Sequence, residues 1–172
     1  MPTVYKSVVR AAIATACVLL LPLVAMQFTD EVDWNLADFV VAGALLFSAG
    51  LAYELVGRKA GNIAYRTAVG VAVGTALVLV WSNLAVGTIG SEDHPANLMY
   101  LGVIAVGIVG ALVARLRPQG MARAMLATAL ALAVVAVIAL VTGLGRPLEV
   151  VLLNAFFAAL FAGSAWLFRR AA

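Results

Sequence analysis

AMLATALALAVVAVIALVTGL, residues 124–144, carries no ionisable side chain from end to end. A hydrocarbon core about 30 Å thick takes about 20 helical residues at 1.5 Å rise. This run is therefore long enough to cross a membrane, and it sets the search for others. Composition agrees: the 172 residues are 65% hydrophobic and 11% charged, whereas soluble domains are about half apolar and about a quarter charged. The chain belongs in a bilayer.

Five further segments have the same character: Val8 to Phe28, Leu36 to Val56, Thr67 to Val86, Leu98 to Ala114 and Val150 to Phe168. The expected fold is all-α, one polytopic transmembrane domain over residues 1–172 with six helices in three hairpins and no soluble domain. Gly102, Gly107 and Gly110 lower the helix propensity of the fourth segment, but in lipid the backbone has no alternative partner. The breaks carry turn chemistry, "GRKAGN" at 57–62, "RLRPQG" at 115–120 and "TGLGRPL" at 142–148. Asp33 and Asn97 stand where a short polar side chain caps the following helix. The basic N-terminus followed by an apolar stretch also fits a signal peptide. Ala11 to Met26 is longer than the usual core of one and no A-x-A-like site follows, so a retained span is expected, kinked at Pro22.

Lys and Arg accumulate in short loops that stay in the cytoplasm. Ten of the eleven basic residues fall on one side of the six spans, and only Arg146 falls opposite. The pattern predicts a bacterial inner (plasma) membrane protein with both termini cytoplasmic. Seven of the eight acids, all but Glu54, lie on or just inside the other face, which should be negative. The net charge of +3 does not indicate nucleic acid, because the basic residues sit in ones and twos between apolar runs.

Lipid tails are as apolar as leucine, so helices associate by close approach of small residues. Candidate seams are Gly43, Gly50 and Gly57 on the second span, Gly70 and Gly74 on the third, and Ala155, Ala159 and Ala162 on the sixth. They serve bundle packing or a homo-oligomer contact. Glu54 precedes Arg58 by four residues, the favourable order for a helical ion pair.

Polar side chains within spans are costly and mark candidate sites. Asp38, Asn83 and Asn154 lie within one to two turns of the non-cytoplasmic ends, with Trp81 slightly deeper. Together with Arg146 and Glu149 they are the candidate ligand-binding residues, Arg146 being the natural partner of Asp38 or Glu149. The competing reading is structural: asparagines bond neighbouring helices and tryptophan anchors at interfaces. Glu92, Asp93 and His94 are weak metal candidates, lacking the spaced multi-ligand pattern of a zinc site. The stretch "GSEDHP" reads as a solvated turn.

No cofactor is expected. One histidine cannot supply two axial haem ligands, both lysines lie outside the spans, and Ser48, Ser82 and Ser164 have no histidine or lysine within their own helices. No thiolate cluster is possible with Cys17 alone. No H-E-x-x-H or Walker pattern occurs, so enzymatic activity is not expected.

"WSNLAVGTIGSEDHPANLMYLGV" together with "AWLFRRAA" resembles small multi-pass inner-membrane proteins of bacteria, a family to which no activity is attached. Size and span count are also similar to the substrate-binding components of energy-coupling-factor vitamin transporters. Two roles are therefore expected: an accessory subunit touching the lipid bilayer and another membrane protein, or a binding or transport component for a small molecule or ion. An enzyme acting on lipid through Asp38 or Glu149 is a third.

Overall fold

The computed structural model describes residues 2–29, 31–57, 62–90 and 94–172. They form α1 (Pro2–Ala25), α2 (Leu36–Gly57), α3 (Ile63–Ala85), α4 (Met99–Val113) entered through a 3₁₀ turn at Pro95–Leu98, α5 (Pro118–Val141) and α6 (Pro147–Arg170). No strand occurs among the described residues. All six segments are long and apolar enough to span a membrane, with mean hydropathy between 1.8 and 2.8. The protein is an all-α, multi-pass membrane protein.

Helices α1, α3 and α5 start four to six residues before the expected positions. Their N-terminal parts carry Lys6 and Arg10, Arg66, and Arg123, and long basic side chains of this kind can extend to a polar headgroup layer while the backbone is already helical. Pro118 and Pro147 open α5 and α6, where the missing N–H has no helical partner to lose. Pro22 is accommodated inside α1, which ends three residues later.

At α2 the cap is not Asp33. Asn35 Oδ1 accepts from the N–H groups of Ala37 (2.7 Å) and Asp38 (3.2 Å), and the Asp38 carboxylate accepts from Asn35 N–H at 2.8 Å. The two side chains satisfy each other's orphan donors in a reciprocal capping box. Asp33 is two residues too early for either bond.

The chain gathers into two compact units, Met1–Lys59 and Ala60–Ala172. In the first, α1 and α2 pack as a hairpin. A Cβ on Gly43 would meet Leu19 at 3.4 Å and one on Gly50 would meet Ala11 at 3.5 Å, whereas Gly57 has only Tyr53 of its own helix nearby. The expected seven-residue seam thus faces α1 at two of its three glycines. Arg10 lies 3.8 Å from Glu54; Arg58, the partner expected from spacing, falls outside the described residues.

In the second unit α5 packs on α6 and α4, α6 packs on α3, and α3 and α4 touch far less. Close approach belongs to the α4–α5 pair. A Cβ at Gly110 would lie 2.8 Å from Ala124 Cβ and one at Gly107 would lie 3.1 Å from Thr128 Oγ1. The seams expected on α3 and α6 are different in kind. A Cβ on Gly74 would meet nothing within 4 Å, and Ala155 and Ala159 are exposed while Val150, Asn154, Phe157, Phe161, Ser164, Ala165 and Phe168 fill the buried face of α6. Three large rings meet the neighbours there beside the small Ser164 and Ala165. Ser164 donates to the Ala68 carbonyl at 2.8 Å and ties α6 to α3.

Gly110→Val should lower unfolding stability in detergent by about 1–3 kcal/mol, because the added atoms meet a neighbouring Cβ and backbone that cannot move aside. Gly74→Ala should leave it unchanged within about 0.5 kcal/mol. Denaturant melts followed by circular dichroism compare the two.

Candidate functional site

A loose seam of the second unit opens into a cleft of about 570 Å³ between the end of α3 and the start of α4. Its walls repeat one spacing. Val80, Asn83 and Leu84 line it from α3, and Asn97, Tyr100 and Leu101 from the α4 side; both sets run i, i+3, i+4, one face of each helix. His94, Pro95 and Leu98 complete the lining.

The polar part is built by the α3–α4 connection. Asn97, only 6% exposed, accepts on Oδ1 from the backbone N–H of Thr88 (3.1 Å) and Ile89 (2.9 Å). It therefore ties the connection inward rather than capping α4, as its position suggested. Its backbone carbonyl accepts from Asn83 Nδ2 at 3.3 Å. His94 supplies the cap instead: Nδ1 accepts from Ala96 N–H at 3.1 Å, which requires the ring proton on Nε2. The cleft thus holds a donor, His94 Nε2–H, and an acceptor, Asn83 Oδ1, neither with a hydrogen-bond partner among the described residues.

The turn expected at residues 90–95 lies partly outside the described residues, and Gly90 and Pro95, which are described, are exposed. Just before it Thr88 and Ile89 are buried, Ile89 fully. Gly145, in the α5–α6 connection at φ +71°, leaves them room. A Cβ there would approach Val150 Cγ2 at 3.2 Å and Ile89 Cγ2 at 3.7 Å, in a backbone conformation that side chains disfavour. Ser91, Glu92 and Asp93 lie outside the described residues, so the metal expectation cannot be followed beyond His94. Among the described residues no three potential ligands gather.

Behind the cleft, Tyr100 is 2% exposed and its hydroxyl accepts from Asn154 Nδ2 at 2.9 Å. The same Nδ2 also donates to Val150 O at 2.9 Å. Asn154 Oδ1 is buried with no hydrogen-bond partner. Of the candidate residues, Asn83 lines the cleft and Asn154 joins it through Tyr100. Trp81 is half-buried on α3 and is not one of the lining residues. Arg146 and Glu149 pair with each other at 3.0 Å in an exposed first turn of α6, where such a bridge contributes little. Asp38 caps α2 in the other unit.

Tyr100 was not singled out in the sequence. The signal was present: an amphipathic ring three residues after an asparagine, at the start of an otherwise apolar span. No family model, curated protein or solved structure matches the chain.

The described residues around the cleft include no nucleophile beside a base and no charged side chain. The arrangement suits recognition of an uncharged group that both donates and accepts a hydrogen bond. Asn97→Ala should cost about 2 kcal/mol or more by orphaning the buried Thr88 and Ile89 amides. Limited proteolysis of the α3–α4 connection should quicken in parallel, while Arg146→Ala leaves both within error.

Proposed function

We propose that this protein is a binding component of the bacterial inner membrane. It takes a small, uncharged amphipathic molecule in the α3–α4 cleft, which by the distribution of arginines opens on the extracytoplasmic side. The observation that carries the reading is a cleft with apolar walls and two polar atoms of opposite sense that have no partner among the described residues, at a seam where α3 and α4 touch little. Leu84, Leu101 and Val80 would hold the apolar part, and Asn83 and His94 the polar head.

Leu84→Trp should fill the cleft without disturbing the buried faces, since Leu84 is exposed. Small molecules co-purifying with wild type, identified by mass spectrometry of solvent extracts, should be depleted at least tenfold in this variant. Identical extracts from both would refute the reading.

An accessory role beside another membrane protein, or in a homo-oligomer, draws support from a different face. A Cβ on Gly74 would meet nothing within 4 Å, and Ala155 and Ala159 are exposed, so these positions leave room where a partner helix could approach. Crosslinking through Gly74→Cys in a Cys17→Ser background should give a discrete adduct if this role operates, and none if lipid alone covers the face.

The orientation is checked in the same background. His94→Cys should react with an impermeant maleimide on intact cells, and Arg115→Cys only after permeabilisation. Reaction of both from one side would overturn the topology.

A further inference from the structure

The opposite end of the second unit carries a second concavity, about 660 Å³, around the α4–α5 turn. Arg115, Arg117 and Arg123 line it together with Gln119 and Gly120 at the start of α5, and Ala172 lies at its rim. None of these three guanidiniums forms an ion pair or hydrogen bond within the described residues. Nor is there a side-chain cap on α5: Arg117 stands at the cap position without bonding it. The first bond into the helix is Met121 N–H to Arg117 O at 2.9 Å, which leaves the Gln119 and Gly120 amides without helical acceptors.

The turn is held in this shape. Arg115 and Leu116 both adopt left-handed backbone, φ 48° and 58°, a conformation that costs about 1 kcal/mol or more for each non-glycine residue. Tyr65 donates its hydroxyl proton to the Leu116 carbonyl at 2.7 Å and stacks edge-on against Phe168, 5.0 Å between centroids. A Cβ on Gly120 would lie 2.7 Å from Ala114 Cβ, so the end of α4 and the start of α5 are as close as their backbones permit.

Within the second unit no described acidic side chain lies at this end: Glu149, the one described acid from residue 60 onward, stands in the first turn of α6 and pairs with Arg146. Arg170 is engaged by Trp166, 3.7 Å from the ring centroid. Apolar surface continues from the concavity along α4: Val113 lines it, and Leu112, Val113 and Val109 are all exposed.

We propose that the α4–α5 turn binds the phosphodiester headgroup of an anionic lipid. The guanidiniums and the two free amides of α5 receive the phosphate oxygens, and an acyl chain lies on the Val109–Leu112–Val113 face. A free phosphate shares the headgroup chemistry but has no use for that apolar track. Position at the end of membrane-spanning helices puts the site at headgroup depth, where anionic lipid is concentrated.

The test uses the full-length protein in mixed micelles titrated with phosphatidylglycerol or phosphatidylcholine, with bound lipid counted by native mass spectrometry. Wild type should retain phosphatidylglycerol in preference to phosphatidylcholine. Arg115→Gln/Arg117→Gln should weaken that retention roughly tenfold or more, while the charge-matched pair Arg169→Gln/Arg170→Gln stays within about twofold of wild type. Inorganic phosphate at millimolar concentration should not displace the lipid. Equal retention of the two lipids by wild type, equal loss in the two charge-matched variants, or displacement by inorganic phosphate would each overturn the proposal. The last outcome would assign the turn to a soluble anion.

Discussion

A peptide N–H or C=O that leaves water for hydrocarbon keeps its demand for a partner and finds none in the lipid. Every segment that crosses must therefore satisfy its own backbone, and the six helices of this chain are that requirement written six times. Irregular backbone is confined to the ends, where headgroups and water can bond it. The positive-φ glycines 87, 90, 143 and 145 and the left-handed pair Arg115–Leu116 all sit in connections. Both candidate sites lie there too, because only at the ends does the main chain have donors and acceptors to offer.

Within the spans, backbone satisfaction leaves side chains to hold helices together. Hydrophobic burial contributes little between helices already in oil, so contact distance matters most. In the α4–α5 pair it is set by Gly107 and Gly110 against Thr128 and Ala124. Between α3 and α6 it is set by aromatic rings and one hydroxyl, Ser164 to Ala68 O. Interhelical bonds of this type contribute about 0.6 kcal/mol on average. The Asn154–Tyr100 bond is therefore better understood as orienting the back of the cleft than as a main source of stability.

The spans were legible because hydropathy alone determines them, and their ends were less so. Arg66 and Arg123 interrupt an apolar run without interrupting a helix, since a guanidinium on a long stem reaches the interface. The Asn35–Asp38 cap was readable as a three-residue spacing, but Asp38 drew attention as a charge in a span, and a carboxylate in a first turn supports either reading. The alanines of α6 misled for a deeper reason. A small residue makes a seam only where a partner approaches, and which face of a helix is approached is a property of the neighbour. Asn83 and Asn154 drew attention because amides in oil are conspicuous. Tyr100 was not singled out, and Asn97 and His94 were read as a helix cap and a weak metal ligand, because the folding of Thr88 and Ile89 inward is what assembles them.

The slack contact between α3 and α4 also says something about the route into the cleft. On the proposed binding role, a cavity flanked by two helices that touch little gives a solute dissolved in the leaflet a sideways route that does not first pass through water. Its occupancy would then follow its partition coefficient between membrane and solution. Two molecules with equal intrinsic fit would differ in apparent affinity by the ratio in which the bilayer concentrates them.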